Sequence, residues 1–394
     1  MKKLIPICSL AFLAAISCRQ DDYVIDCVPS GQLVNVCVKA DMGSDDSDTR
    51  VNVSGLSLSW NTDDAIGIFA GPNNMNRRFT IEGEASSKNA TFTGTMLPTG
   101  EDQTMLAYYP YDPDATDPDA WRLNFDGQVY DGDFSEYGSG TDLGHYLYMV
   151  VLPQNGFQIT EGSGWPSDHP LNFNKKLASM ITYKISSTLT TDFTIDRIDL
   201  FSAAKPFHHN PSINISGGMY SCSPKDLIGV SLKNQLTMES GNKSGLKYVH
   251  MAAGQSVFNE GTDLQVLVYG MLGDKYVRMT VPKHVTSSAD FKFGKRTTIN
   301  VQLSDDTNYS EASSVGVVIT GNSCVSPELI QDSGDGQPGT ITWGDGTSEP
   351  YAGGIIHQYG SSTQYTASFN YWGEGKTIKF SNLENISSID LSKF

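Results

Sequence analysis

The residues best placed to do chemistry are few and widely dispersed. Cys18 follows an apolar run, Leu4 to Ile16, that begins after Lys2 and Lys3 and closes on small side chains, which is the pattern of an export signal with a thiol at its end. Arg50 ends the run Asp41-Met42-Gly43-Ser44-Asp45-Asp46-Ser47-Asp48-Thr49-Arg50, which is acidic and poor in apolar anchors. Such a loop is either a solvated linker or the presentation of a single basic residue to a protease. Asp112, Asp114, Asp117, Asp119, Asp126, Asp131 and Asp133 gather carboxylates in one stretch. Calcium takes roughly six to eight oxygens, but the EF-hand spacing and its closing Glu are missing, and Pro113 and Pro118 suit an exposed loop. His208 and His209 are adjacent, and neighbours on a strand point to opposite faces, which disfavours a shared metal. Asp345 lies in Trp343-Gly344-Asp345-Gly346, where Asp-Gly satisfies a hairpin turn better than it supplies an acid catalyst. G-x-S-x-G, H-E-x-x-H and the P-loop are all absent. No carboxylate pair stands out for glycoside hydrolysis, whose geometry depends on a separation that sequence does not display. The expectation is a protein that is not an enzyme, with no cofactor and no metal.

Composition narrows the partners. A chain of 394 residues with a net charge of −17, reaching −19 without Lys2 and Lys3, lacks the basic footprint that nucleic acid requires. A protein or a glycan remains open as target. The length fits two or three domains. Cys27 and Cys37 are close enough in sequence to pair, Cys222 and Cys324 are far apart, and neither CxxC nor structural-zinc spacing occurs. The apolar leader is shorter than the roughly 20 residues of a spanning helix, so it is a segment to be removed. It resembles a bacterial lipoprotein signal, in which the cysteine becomes the first mature residue and carries the lipid. An ordinary secretory signal is the alternative. Arg19-Gln20-Asp21-Asp22 looks like the short acidic tag that sends lipoproteins of the Bacteroidetes to the outer face of the outer membrane.

The elements that must position these residues are strands. Gln32 to Ala40 alternates, placing Val34, Val36 and Val38 on one face with Asn35 and Lys39 on the other. Further short alternating runs recur at Tyr146 to Leu152, Ser179 to Ile185, Ile195 to Phe201, Leu264 to Tyr269, Tyr276 to Val281 and Thr297 to Leu303, separated by Gly, Pro, Asn or Asp clusters. That pattern predicts an all-β chain of antiparallel sandwiches. The polar break from Thr160 to Pro170 marks a boundary between two lobes, or a long loop, and Ser304 to Ser314 reads as a linker.

Three motifs in order, Trp60-x-x-Asp63-Asp64-x-Ile66-Gly67-x-Phe69, Tyr108-Tyr109-Pro110-Tyr111 and Leu171-Asn172-Phe173, resemble the fimbrillin family of type V pilins and related adhesion lipoproteins. The resemblance runs from about Arg50 to Leu303 and implies two tandem β-sandwich-like lobes. Beyond it, Trp343-Gly344-Asp345-Gly346 with His357-Gln358-Tyr359 resembles a small PKD-like β-sandwich. The organisation these resemblances imply is a lipoprotein signal peptide at 1–17 and a tether, first strand and acidic loop at 18–50. An N-terminal lobe at 51–165, a C-terminal lobe at 166–304, a linker at 305–320 and a PKD-like domain at 321–394 follow. In pilin members a protease cuts after an Arg near the N-terminus and frees the first strand, whose groove a neighbouring subunit fills by strand addition. Here Arg50 would be the cut, and Val34, Val36 and Val38 the displaced strand. The expected partners are the outer membrane through a lipid on Cys18, fimbrial subunits by strand exchange, and a host protein or glycan. The chain continues past Leu303, so the expected role is a fimbrial tip or accessory subunit at the cell surface that accepts a strand. The alternative is a glycan-binding surface lipoprotein that does not polymerise, with Trp343, Tyr371 and Trp372 as stacking faces.

Overall fold

The structure, a computed structural model, describes residues 32–42, 59–83, 88–99, 101–136, 138, 141–159, 170–215, 220–331, 339–361, 363–372 and 375–394. The leader, Cys18, Cys27, the acidic run from Gly43 to Arg50, and the break from Thr160 to His169 lie outside the described residues. The described chain is all-β apart from a helical turn at Thr141–Gly144 and a 3-10 turn at Ser240–Asn242.

Up to Lys176 the strands are β1 (Val34–Asp41), β2 (Ala65–Ala70), β3 (Arg77–Ile81), β4 (Asn89–Met96) and β5 (Gln103–Tyr109). Then come β6 (Trp121–Arg122), β7 (Val129–Tyr130), β8 (Met149–Phe157), β9 (Leu171–Asn172) and β10 (Lys175–Lys176). The first lobe is an eight-stranded sheet in the order β10-β8-β5-β2-β3-β4-β1-β9. β1 follows its alternation: Val34, Val36, Val38 and Ala40 are buried while Asn35, Cys37 and Lys39 are exposed. The family motifs, distant in sequence, meet in this lobe's core. The Trp60 ring meets Phe92, Tyr109 and Phe173 edge-on at centroid distances of 4.9, 5.3 and 5.5 Å. Its indole N–H donates to the Lys88 carbonyl at 2.9 Å. Asp64 accepts from the Asn61 backbone N–H at 2.7 Å and from the Tyr109 hydroxyl at 2.9 Å. The spacing of these motifs is therefore the wiring of a core, with Asp64 closing the turn before β2.

The second lobe holds β11 (Ser179–Ser187), β12 (Phe193–Phe201), β13 (Phe207–Ile213), β14 (Tyr220–Lys225), β15 (Leu227–Met238) and β16 (Lys247–Ala253). It continues with β17 (Ser256–Phe258), β18 (Asp263–Leu272), β19 (Lys275–His284), β20 (Ala289–Phe291), β21 (Arg296–Leu303) and β22 (Tyr309–Glu311). A six-stranded sheet, β22-β19-β18-β12-β15-β7, faces a three-stranded one, β16-β11-β21. Ile181, Tyr183, Ile198, Val249 and Val266 pack in the core they enclose. The lobes exchange strands across the expected boundary. β9 and β10 join the first lobe's sheet, whereas β6 pairs with β13 and β7 runs parallel to β15. A bridging cluster that includes Phe69, Tyr108, Trp121, Tyr148, Met180 and Ala252 holds the lobes together.

The remaining strands are β23 (Ser313–Ile319), β24 (Ser323–Val325), β25 (Glu328–Gln331), β26 (Thr340–Thr342) and β27 (Ser348–Pro350). β28 (Ile356–Gln358), β29 (Tyr365–Tyr371), β30 (Gly375–Lys379) and β31 (Ile386–Lys393) complete the chain. The main sheet of this C-terminal unit is β27-β26-β29-β23-β31. Here the expected linker at 305–320 is corrected. β22 is an edge strand paired with β19, and β23 lies between β29 and β31 at the heart of the C-terminal sheet. Only Ala312, itself buried, separates the two strands. The polar composition that suggested a linker belongs to a turn at residues 304–308 and to β22, exposed at all three positions.

Candidate functional site

The first candidate site is the seat of β1. Its ladder with β4 is antiparallel and unbroken, from Val34 opposite Met96 to Asp41 opposite Asn89. On its other side it meets β9 in parallel at Ala40 and Asp41 alone. Backbone bonds from Met42 N–H to the Lys88 carbonyl, 3.1 Å, and from Phe173 N–H to the Asp41 carbonyl, 2.7 Å, fix the exit of the strand. Side chains add the rest: Val36 and Val38 are each 1 % exposed, among Trp60, Phe79, Phe92 and Phe173. Burying a valine contributes roughly 1.5–3 kcal/mol. β1 is thus held by one full ladder and by alternate apolar side chains in a slot, an arrangement that any strand of the same period and size can satisfy. Its outward face carries Cys37, whose thiol is free and exposed; its sequence neighbour Cys27 lies outside the described residues. Arg50 and Cys18, the expected processing and lipid positions, also lie outside the described residues.

The second candidate is the turn at Trp343-Gly344-Asp345-Gly346. Trp343 is buried, with its indole N–H donating to Glu349 Oε1 at 2.7 Å and its backbone N–H to the Thr347 carbonyl at 3.0 Å. Gly344 has φ +82°, and a Cβ there would stand 2.2 Å from the Thr366 carbonyl oxygen, so the position is closed to other residues. Asp345 Oδ1 accepts from the Thr347 backbone N–H at 3.0 Å, and Oδ2 lies 2.8 Å from His357 Nε2. Burial works to raise the Asp345 carboxyl, but bonds from Thr347 and His357 outweigh it and hold the group below the usual carboxylate value. The His357 ring stacks on Trp343 at 4.6 Å and 9°, and the Tyr359 hydroxyl donates to the Trp343 carbonyl at 3.0 Å. Asp345 is fully engaged in fastening this turn to β28.

The acidic stretch forms local turns. The backbone N–H groups of Asp114, Asp119 and Ser135 donate to Asp112, Asp117 and Asp133 at 2.9, 2.8 and 3.0 Å. Among the described residues no group of three or more His, Cys, Asp or Glu side chains is placed to hold a metal. His208 and His209 are successive residues of β13. The aromatic stacking faces expected of Trp343, Tyr371 and Trp372 need correction. All three are buried, the first two in the C-terminal core and Trp372 against the second lobe, so none presents a face to a glycan.

One set of residues went unnoticed in the sequence. Asp196, Arg197 and Asp199 of β12 form a buried polar seam with Tyr269, Tyr276 and Arg278 beneath the C-terminal unit. Their signal was present: three charged residues inside the run Phe193 to Phe201, whose other side chains suit a strand covered on both faces.

The fimbrillin-like family matches residues 49–321, most of the chain, and the chain belongs to that family. No curated protein matches it. Among solved structures it is similar to a candidate cell adhesion protein of Bacteroides uniformis ATCC 8492, at 15% identity and TM-score 0.42, over 70% of this chain and 97% of that one. It is similar to another of Bacteroides ovatus ATCC 8483, at 13% identity and TM-score 0.41, over 72% and 97%. A third, of Parabacteroides distasonis ATCC 8503, matches at 10% identity and TM-score 0.36, over 71% and 96%.

Proposed function

We propose that this chain is a cell-surface adhesion subunit of the fimbrillin type, a structural protein without catalytic activity. It is delivered to the outer membrane by a lipid on Cys18 and assembled as a fimbrial tip or accessory subunit. Cleavage after Arg50 releases β1, and a strand from a neighbouring subunit takes its slot. The observation that carries this reading is the seating of β1, which is bound by a ladder on one side, barely touched on the other, and plugged into the core by Val34, Val36 and Val38. β21 supports the accepting role: it is tied into the second lobe beside β11 along its length, and the chain after it is folded against that lobe. The unit from residue 321 onward acts as a PKD-like interaction domain toward a host protein or glycan.

Mass spectrometry of the protein extracted from the cell surface tests this. The expected N-terminus is Val51, with the purified cleaved chain joining a strand-donating neighbour subunit but forming no ladder by itself. A surface population that begins at lipid-bearing Cys18 and resists an Arg-specific protease would instead establish a permanently tethered protein whose first strand stays in place.

A further inference from the structure

The C-terminal unit does not hang from the second lobe; it is seated on the outer face of the six-stranded sheet. Trp372 and Ala312 pack against Leu267, Tyr269 and Tyr276, and the Arg278 guanidinium lies 4.7 Å from the Trp372 ring centroid. Asp196 adjoins this contact through Tyr276. Both ladders of β12 shift register between Ile195 and Arg197: against β18, Asp196 is the one extra residue of a bulge, and against β15 the surplus lies on β15 at residues 232–235. The Tyr276 hydroxyl stands 2.9 Å from Asp196 Oδ1 and also contacts Thr340 Oγ1 of β26. With one hydrogen to give, Tyr276 donates to the carboxylate and accepts from the threonine. A single chain of hydroxyls thus joins the C-terminal sheet to a buried acid in the lobe below.

The other oxygen, Asp196 Oδ2, is buried and has no hydrogen-bond partner among the described residues. Asp196 borders a cavity of about 220 Å³ at the same junction, shared with Ser231 and Lys233 of β15, Val129 of β7, and Thr340, Ser348 and Glu349 of the C-terminal unit. Its own strand contributes Arg197 and Asp199, which pair with each other at 2.8 Å. A buried carboxylate with half of its hydrogen-bonding capacity unfilled is costly when charged and comfortable when protonated.

We propose that this junction is a proton-operated latch, holding the C-terminal unit most firmly when Asp196 is neutral and loosening it as Asp196 ionises. Burial drives the Asp196 carboxyl up, to about 7, against the lowering pull of Tyr276 and Arg197. Undocked and solvated, the same group is ionised throughout the neutral range. A group whose pKa is higher in the docked state favours docking below its free value and loses that contribution as pH rises through its docked value. Acid closes the latch, and the rise toward neutral pH opens it, with little further change above.

The test is hydrogen-exchange protection of the β19 and β26 amides in the full chain, corrected for intrinsic rates, between about pH 5.5 and 8.5. Protection at the junction is expected to fall about ten- to thirtyfold across that range in the wild type. Asp196→Asn is expected to abolish the slope while leaving protection in the first lobe unchanged. A flat wild-type profile, or a slope that survives in Asp196→Asn, overturns the latch. If Asp196→Asn does not fold, Tyr276→Phe serves in its place. Losing the hydroxyl that supports the charged form moves the midpoint to higher pH, and an unmoved midpoint is equally fatal.

Discussion

Asp345 and His357 show how a side chain that looks catalytic can be consumed by architecture. The carboxylate spends one oxygen on Thr347 and the other on His357, whose ring lies flat on Trp343. Asp345→Ala is expected to destabilise the C-terminal unit by about 1–2 kcal/mol, read from chemical denaturation. Because the folded carboxyl sits below its unfolded value, its contribution is present above that unfolded value and is lost as pH falls through the depressed folded one. Asp345→Asn should remove this acid-side loss. Gly229 supports a second expectation. It lies opposite Asp199, and a Cβ there would stand 1.7 Å from Asp199 Oδ1. Gly229→Ala should therefore cost about 1–3 kcal/mol in the same measurement, since neither the paired acid nor the strand has room to give. At this scale the turn from Trp343 to Gly346 was legible, because its chemistry is local. The partners of Asp196 were not, because Thr340 reaches it only through tertiary packing.

β1 is the element on which the functional reading depends, and its alternation gave it away in the sequence. Val36→Ala is expected to cost about 2 kcal/mol in the first lobe. A chain beginning at Val51 should melt at a lower temperature than the intact one, and a synthetic peptide of residues 32–42 should raise that melting temperature in a dose-dependent way. The same peptide with Val36→Asp should not. Other elements were hidden for identifiable reasons. β6, β7, β9 and β10 are two residues long, too short to show any period, yet they carry the exchange between lobes. The supposed linker misled because a polar turn at residues 304–308 runs straight into β22, a wholly exposed edge strand, and the two together mimic one long loop. Trp60, Tyr109 and Phe173 were correctly ordered by motif, but only the fold reveals that they touch.

For the molecule as a whole, the buried contact between the second lobe and the C-terminal unit is expected to make them unfold as one cooperative pair. Trp372→Ala removes the ring that fills that contact and is expected to cost about 3–5 kcal/mol. Calorimetry should then resolve two transitions where the wild type gives one for this pair. The three cysteines within the described residues fall one to each region: Cys37 exposed on β1, Cys222 half-buried on β14, and Cys324 buried in the C-terminal core. Burial pushes the Cys324 thiol up to about 11, so it is doubly silent toward alkylating reagents, shielded and uncharged. The chain therefore carries its own reaction clocks. Timed alkylation, read peptide by peptide, dates the breathing of the C-terminal core at Cys324 and of the second lobe's β14 at Cys222. At Cys37 it tags β1 at once, so the label shows whether that strand stays with the protein or leaves it.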